Sequence, residues 1–332
     1  MTMKTSPIAA GFCLLLASGL ASSGARAADM SCAGKNFVFF PGGAEGDAFA
    51  SVVYAGAKLA ADQTGCHVEH VWSDWDPQKM VQQFSEAIAR RPTGISIMGH
   101  PGEQALGPLI DQAEKAGIIV TTSNVELPNI EAKYKEDGFG YIGAQQHAAG
   151  MTLGGSAVKI CALKPGDTAF VWGLLGQAGR GQRTQGILDA LKTAQIKVQY
   201  LEISDAVNKD ATQGIPIFAS FMASHPEIKM AITDHGVLTA TIPAYMQASG
   251  KKPGEVCGAG FDMSGPTVKG IKDGYIAAVL DQQPFLQGYL AVIQLYLTSK
   301  FGFAGMNVDT GAAMITKQNI DAVAALAQAG IR

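Results

Sequence analysis

The sequence has few charged residues and no basic stretch. Charged side chains make up 16% of its 332 residues, and the formal net charge is −3. Proteins that bind nucleic acid or an anionic membrane surface usually carry lysines and arginines clustered in one segment or on one face. We therefore expect neither nucleic acid nor an anionic membrane surface as a partner of this chain.

Signature motifs of nucleotide-dependent and hydrolytic enzymes are also missing. The sequence contains no GxxxxGK[ST] phosphate loop, no GxSxG nucleophile elbow and no HExxH zinc motif. Gly173, Gly176 and Gly179 follow a predicted strand, but their spacing differs from the GxGxxG of dinucleotide-binding proteins. We expect no enzymatic activity and no cofactor. An enzyme on a nucleotide-binding type of fold is the disfavoured alternative.

Beyond its N terminus the sequence lacks any apolar run of about 18 residues, the length that crosses a bilayer as a helix. At the N terminus, Lys4 precedes the apolar residues 8–20, and a small-x-small triplet follows at 25–27. This order is typical of a secretory signal peptide. The sequence predicts a signal peptide over residues 1–27 and a soluble, exported protein, with an uncleaved anchor as the alternative.

Cysteine is scarce but evenly placed. Outside the predicted signal peptide stand Cys32, Cys66, Cys161 and Cys257, each just before a predicted strand or its leading loop. Four cysteines allow three pairings, and the starts of neighbouring parallel strands lie at one edge of a sheet. We favour Cys32–Cys66 and Cys161–Cys257, with four buried free thiols as the alternative. No two are close in sequence, so no metal site is expected.

The remaining chain alternates short β-rich runs with helical patterns, and the cycle occurs twice. A length of 332 residues also favours two domains over one. The alternation predicts two α/β halves, each an open parallel sheet with helices on both faces. The predicted strands are 36–42, 66–72, 94–99, 118–124 and 139–144 in the first half, and 168–173, 197–204, 229–235, 256–262 and 275–280 in the second.

Amides, carboxylates, arginines and aromatic residues follow these strands. The strand ends read GGAEGDAF, DW, GHP, SN and AQQH in the first half, and GLLGQAGRGQR, DAVNKD, DHG, FD and DQQ in the second. Open parallel sheets bind ligands beyond the carboxyl ends of their strands. Such side chains hydrogen-bond hydroxyl groups and stack on flat apolar faces, which indicates a neutral polyhydroxylated ligand.

In order along the chain, several segments match one protein family. They read DAFASVVYAGAKLAAD, DPQKMVQQFSEAIARRPTGISI, PLIDQAEKAGIIVTT, IGAQQHAAGMTLGG, RTQGILDAL, GFDMSGPTVKGIKDGYIAAVLDQQPFLQGY and ITKQNID. With them the chain resembles the ribose-type (cluster B) periplasmic sugar-binding proteins of ABC transporters. The resemblance implies the type I periplasmic binding protein fold: two doubly wound, Rossmann-like parallel-sheet lobes joined by a three-segment hinge.

The same resemblance implies where the chain divides. Lobe 1 would comprise 34–143 and 284–309, and lobe 2 would comprise 144–283 and 310–332. The chain would cross between them near 143–146, 281–283 and 309–311. Pro284 would then begin a helix that returns to lobe 1, where a missing backbone N–H is tolerated in the first turn.

The resemblance and the strand ends together give a predicted set of ligand-binding residues. They are Asp47, Phe49, Trp75, Asn124, Trp172, Arg180, Arg183, Asp234, His235, Asp262 and Gln282. The chain departs from the family where Ala50 replaces an aromatic residue and where Asn124-Val125 replaces an Asp-Arg pair. Trp75 or Trp172 would supply the missing stacking face. The family's lobe 2 arginine aligns with either Arg180 or Arg183, and we expect the other to be at the surface.

Each of these residues also has a structural alternative. Asp47 and Asp234 are candidate helix caps, Phe49 and both tryptophans are candidate core residues, and Asn124 is a candidate turn residue. His235 is a candidate cleft-rim or capping residue. Asp262 has the weakest alternative, because a carboxylate at a buried strand end needs partners.

The predicted function is that of a solute receptor. The resemblance implies a monomeric protein of the periplasm that binds a pentose or hexose between its lobes, closes by hinge motion and docks on an ABC permease in the inner membrane. A polyol or a furanose-like signalling molecule is the alternative ligand, and presentation to a chemoreceptor is a further possibility.

Overall fold

The computed structural model describes residue 2, residues 30–311 and residues 313–332. Apart from residue 2, the predicted signal peptide lies outside the described residues. Within the described part of the chain, no helix is long and apolar enough to cross a membrane.

The described residues form strands and helices in regular alternation. The strands are β1 (Asn36–Phe39), β2 (His67–His70), β3 (Gly94–Met98), β4 (Ile119–Ser123), β5 (Gly140–Gly143), β6 (Thr168–Gly173), β7 (Lys197–Glu202), β8 (Ile228–Thr233), β9 (Cys257–Phe261), β10 (Ile276–Asp281), β11 (Asn307–Asp309) and β12 (Ala313–Thr316). The helices are α1 (Ala48–Thr64), α2 (Pro77–Ala89), α3 (Glu103–Lys115), α4 (Pro128–Tyr134), α5 (Gln146–Ile160), α6 (Gly181–Thr193), α7 (Asp205–Lys209), α8 (Gly214–Ser224), α9 (Gly236–Ala248), α10 (Gly265–Asp273), α11 (Pro284–Phe301) and α12 (Ala324–Gln328).

The strands form two sheets of the same design. In the first sheet the order is β11-β5-β4-β3-β1-β2, and in the second it is β12-β10-β9-β8-β6-β7. The first sheet is parallel throughout, whereas in the second β12 is antiparallel to β10. We name the first sheet with its helices lobe 1 and the second sheet with its helices lobe 2. The predicted pair of parallel α/β halves is confirmed.

Within the described residues, three connections link the two sheets. The chain leaves lobe 1 after β5 and enters α5, leaves lobe 2 after β10 and enters α11, and passes from β11 in lobe 1 to β12 in lobe 2. Helix α11 packs on α1 and on the first sheet. The residue bounds of the lobes stay a prediction.

Glycines allow one close helix pair in each lobe. A Cβ on Gly288 of α11 would lie 1.9 Å from the carbonyl oxygen of Val53 in α1, and one on Gly150 of α5 would lie 2.1 Å from that of Arg183 in α6. Only glycine permits such an approach of two backbones. In lobe 2 this contact brings the start of α6 against the start of α5, beside the hinge.

Both favoured disulfides are present. Cys32 pairs with Cys66 at the start of β1 and β2, and Cys161, at the end of α5, pairs with Cys257 at the start of β9. The pairing prediction is confirmed, and the alternative of four free thiols is wrong. The short elements α4, α7, β11, β12 and α12 were not predicted.

Candidate ligand-binding site

A cavity of about 520 Å³, including its opening, lies at the carboxyl ends of the strands of both sheets. Side chains from both lobes and from the second hinge crossing line it. The lining residues are Asp47, Phe49, Trp75, Asn124, Arg180, Arg183, Asn208, Lys209, His235, Gly236, Val237, Asp262 and Gln282. Parallel sheets place ligand sites at this edge, because the loops after the strands converge there.

Lobe 1 supplies an aromatic wall. The rings of Phe49 and Trp75 lie 5.8 Å apart between centroids, at 53° to each other. Asp47 Oδ1 accepts from the backbone N–H groups of Phe49 and Ala50, at 3.0 and 2.8 Å, and so caps α1. Its Oδ2 accepts from Trp75 Nε1 at 3.1 Å. Asp47 is therefore both a helix cap and the residue that orients the indole.

Several residues around the cavity have left-handed backbone conformations. The φ angles are 55° at Trp75, 65° at Asn124, 68° at Asp262 and 53° at Gln283. Asparagine and aspartate tolerate this region, but tryptophan and glutamine adopt it at an energetic cost. Such strain collects at binding sites, where the surrounding structure fixes it.

Arg183 is buried and connects lobe 2 with two hinge crossings. Its Nε donates to Gln146 Oε1 at 2.9 Å, its Nη1 to the carbonyl oxygen of Asp234 at 3.0 Å and its Nη2 to Gln282 Oε1 at 3.0 Å. The guanidinium lies 4.4 Å above the ring centroid of Phe261. These contacts fix the arginine in one geometry at the cavity floor.

Gln282 extends this network to lobe 1 and to the third crossing. Its Nε2 donates to Asp262 Oδ2 at 3.1 Å, and its Oε1 accepts from Asn124 Nδ2 at 3.4 Å. Gln287 Nε2 donates to the carbonyl oxygen of Gln282 at 3.1 Å and to Thr310 Oγ1 at 3.3 Å. The three crossings thus share one hydrogen-bond network beneath the cavity.

Three polar groups at the cavity have no hydrogen-bond partner among the described residues. Asp262 Oδ1 and His235 Nε2 are both buried and unpaired. The Arg180 side chain also makes no hydrogen bond to a described residue, although it lines the same cavity. Buried polar groups are normally paired, so unpaired ones at a cavity indicate a ligand.

Burial changes the protonation equilibria of these groups. Burial raises the pKa of Asp262 to about 6, although Arg183 and the Gln282 hydrogen bond oppose the change. Burial and the charge of Arg180 lower the pKa of His235. Burial also lowers the pKa of Arg180. His235 is therefore neutral at pH 7, and Asp262 takes up a proton only in mild acid.

Comparison with known proteins identifies the family. Residues 37–300 match the family model described as "Periplasmic binding protein domain". The chain belongs to this family. The two-lobed type I fold predicted from the resemblance is confirmed, and a periplasmic binding protein is a receptor for solutes and not an enzyme.

Relatives of this periplasmic binding protein carry names of sugar receptors. A xylose/arabinose-binding protein of Sulfolobus acidocaldarius is 27% identical over 257 residues, which cover 74% of this chain and 62% of that relative. The chain therefore spans less than two thirds of that relative. A ribose import binding protein of Salmonella typhimurium is 25% identical over 232 residues, or 69% of this chain and 73% of the relative.

Two solved structures have the same fold. A carbohydrate transporter protein of Acidothermus cellulolyticus, in complex with myo-inositol, has a TM-score of 0.75 and 26% identity and covers 90% of this chain and 99% of its own. An ABC transporter solute-binding protein of Burkholderia graminis, in complex with D-arabinose, has a TM-score of 0.75 and 26% identity and covers 87% and 98%.

Most residues predicted for this periplasmic binding protein meet at the cavity. The structure brings together Asp47, Phe49, Trp75, Asn124, Arg180, Arg183, His235, Asp262 and Gln282. The expectation that one of the two arginines lies at the surface is wrong. Arg183 is only 1% exposed, and Arg180, on the loop just before α6, lines the cavity as well.

Trp172 and Asp234 do not line the cavity. Trp172 is 1% exposed, and its ring lies 5.4 Å from Tyr245 and 6.1 Å from Phe218 in the core of lobe 2. Its strand is covered on both faces, so its side chain points into the helix layer. Asp234 is fully buried behind His235. Trp75 alone among the predicted tryptophans forms part of the wall.

Four lining residues were missed. Asn208 and Lys209 belong to the DAVNKD segment after β7, and their position at a strand end is the signal that points to them. Gly236 and Val237 begin α9. A Cβ on Gly236 would lie 2.9 Å from Asp262 Cβ, so glycine is needed where α9 meets β9. Sequence periodicity contains no information about this contact.

Proposed function

We propose that this periplasmic binding protein binds a monosaccharide or a similar hydroxyl-rich ring between its lobes and delivers it to an ABC permease. The observation that carries the proposal is the cavity itself. It places an aromatic wall from lobe 1 opposite unpaired hydrogen-bonding groups of lobe 2. A sugar ring matches this arrangement, because it has flat C–H faces and a rim of hydroxyl groups.

The charges near the cavity favour a neutral ligand. Asp47, Asp234 and Asp262 are balanced by Arg180, Arg183 and Lys209, while His235 is neutral because burial and Arg180 lower its pKa. A buried ionic ligand would need an unmatched opposite charge. The names of the relatives and structural neighbours, which are sugar and cyclic-polyol receptors, support the same class of ligand.

Binding between lobes gives a mechanism that needs no chemistry on the ligand. A ligand that contacts Trp75 of lobe 1 and Asp262 of lobe 2 gains both sets of contacts only when the lobes are closed. The closed form is then stabilised by this difference in contacts. We infer that the exported, monomeric protein acts in the periplasm and that its closed form is the one a permease recognises.

Titration calorimetry with a panel of ligands tests the proposal. The panel is D-ribose, D-arabinose, D-xylose, D-glucose, D-galactose and myo-inositol, which also separates monosaccharides from a cyclic polyol. We expect at least one ligand to bind with a Kd of about 10 μM or tighter, or about −7 kcal/mol.

The two partly buried tryptophans next to β2 provide a matched pair of variants. Trp75→Ala removes part of the aromatic wall, so the affinity for the best ligand should fall about 10-fold by loss of stacking. Trp72→Ala removes an indole that packs on Tyr54, 5.5 Å between centroids, outside the cavity. It should leave the Kd unchanged. Absence of heat with every ligand of the panel would contradict the proposed function.

A further inference from the structure

The start of α9 carries two adjacent residues with different roles. His235 lines the cavity, is 7% exposed and has no partner for its Nε2 among the described residues. Its Nδ1 is in hydrogen-bond contact with Oδ1 of Asp234, which lies wholly behind it. Nδ1 of the imidazole therefore contacts the protein, and Nε2 has no partner among the described residues.

The surroundings of Asp234 determine which nitrogen carries the proton. Asp234 Oδ2 accepts from the backbone N–H of Leu174 and from the hydroxyl of Thr184, both at 3.0 Å. The Thr184 oxygen itself accepts from Leu174 N–H at 3.2 Å, which directs the hydroxyl proton towards the carboxylate. Two donors on Oδ2 favour the ionised carboxylate, which has no proton to give to the imidazole.

The electrostatics agree with this assignment. Burial raises the pKa of Asp234, but its contact with His235 and the charges of the two nearby arginines bring it below its ordinary value. Burial and Arg180 lower the pKa of His235. The pair is thus an ionised carboxylate beside a neutral imidazole, whose proton lies on Nδ1 and whose Nε2 is a bare acceptor.

We propose that His235 Nε2 accepts a hydrogen bond from a ligand hydroxyl and that Asp234 is a positioning residue that fixes this polarity. The inference rests on the proposed function and assigns a specificity role within it. Asp262 Oδ1 is a second unpaired acceptor, and the Arg180 guanidinium is a donor. The ligand must therefore present two hydroxyl protons to lobe 2 and an oxygen lone pair to Arg180.

This polarity has a measurable consequence for ligand analogues. Replacing the ligand hydroxyl that contacts His235 by hydrogen, fluorine or O-methyl removes the proton that it donates. Binding should then weaken about 10-fold or more, because the buried Nε2 is left unpaired. In His235→Leu the acceptor is absent, so the hydroxyl ligand and its deoxyfluoro analogue should bind within about 2-fold of each other. In Asp234→Asn the amide can donate to Nδ1, and the proton moves to Nε2.

Nitrogen-15 NMR of the histidine rings in the full chain tests the proposal directly. Without ligand, His235 should show a protonated Nδ1 and an unprotonated Nε2. Saturating D-arabinose or myo-inositol, whichever binds, should shift Nε2 in the direction of an accepted hydrogen bond. Calorimetry with the singly deoxygenated and deoxyfluoro forms of that ligand then measures discrimination in the wild type and in His235→Leu.

His225 is the matched control. Its Nδ1 lies 2.9 Å from the carbonyl oxygen of Phe221, so it should have the same tautomer outside the cavity. Its Nε2 signal should not respond to sugar, and His225→Gln should keep both affinity and discrimination. If His235→Leu does not fold, the wild-type NMR experiment decides alone.

The outcomes separate this inference from the proposed function. The role of His235 is overturned if Nε2 carries the proton in the ligand-free protein, or if the Nε2 signal does not change when a sugar binds. Sugar binding itself is not contradicted by either result. The role of His235 is also overturned if wild type and His235→Leu discriminate equally between the hydroxyl ligand and its deoxyfluoro form. If no sugar of the panel binds, the proposed function fails, and the ligand-free tautomer still decides the polarity of the site.

Discussion

The two lobes have the same strand order and the same glycine-mediated helix pair, yet they give the cavity different chemistry. Lobe 1 contributes the rings of Phe49 and Trp75, held by Asp47. Lobe 2 contributes charge and hydrogen bonding through Arg180 and His235, among others. The shared topology determines where the cavity-lining side chains lie. The identity of the loop residues after the strands determines which interactions those side chains can make.

The largest expected effect concerns the disulfides, one in each lobe. Cysteine separations are 34 residues for Cys32–Cys66 and 96 for Cys161–Cys257. Replacing both cysteines of a pair by serine should lower the free energy of unfolding by about 4 kcal/mol in lobe 1 and about 5 kcal/mol in lobe 2. Urea unfolding of the two double variants measures the difference. A greater loss for the lobe 1 pair would contradict loop-entropy control.

The two arginines of lobe 2 should separate stability from binding. Arg183→Met removes three buried hydrogen bonds, to Gln146, Asp234 and Gln282, so the free energy of unfolding should fall by about 3 kcal/mol. Arg180→Met breaks no hydrogen bond to a described residue and should change stability little. Affinity for the best sugar should fall in both, by about 10-fold or more for Arg180→Met.

Urea unfolding and calorimetry on the same two variants check this prediction. The size of the side chain and its replacement are the same in both, which makes each variant the control for the other. A strongly destabilised Arg180→Met would show that this arginine belongs to the structural network. An Arg180→Met that keeps full affinity would show that it does not contact the ligand.

Asp47 tests how lobe 1 positions its aromatic wall. Asp47→Ala removes the α1 cap and should lower the free energy of unfolding by about 1 kcal/mol. It also frees Trp75 Nε1, so sugar affinity should fall. Asp47→Asn is the matched control, because an asparagine oxygen can both cap α1 and accept from the indole. Tryptophan fluorescence and thermal melts follow the two effects, and equal behaviour of both variants would refute the assigned roles.

The remaining expected effect is a pH dependence of affinity that belongs to lobe 2. The pKa of Asp262 is raised to about 6 by burial, so this carboxyl gains a proton as the pH falls from 7 to 5. A protonated carboxyl offers the ligand a poorer acceptor, and affinity should fall up to about 10-fold over that range. His100 in lobe 1, with a pKa lowered to about 3 by burial, stays neutral there. Calorimetry of Asp262→Asn should give an affinity that does not change between pH 7 and pH 5. A pH dependence of affinity equal to that of wild type would contradict the assignment.

Most of the predicted residues meet at one cavity because strand ends of parallel sheets converge, which is a property of topology. Sequence reasoning could not place Trp172, since a strand covered on both faces shows no alternation between core and cavity. It could not separate Asp234 from His235, because neighbours at a strand end point in different directions. The exposure of the arginines depends on contact between the lobes: a Cβ on Gly179 would lie 2.6 Å from Val125 Cγ1. The loop that carries Arg180 thus packs where the resemblance implied a lobe 1 arginine.

A crystal structure of the protein with its best-binding sugar tests the central claim most directly. The account predicts one sugar ring that stacks on Trp75 of lobe 1 and donates hydroxyl protons to Asp262 and His235 of lobe 2. A sugar bound to one lobe only, or bound outside the space between Trp75 and Asp262, would contradict it.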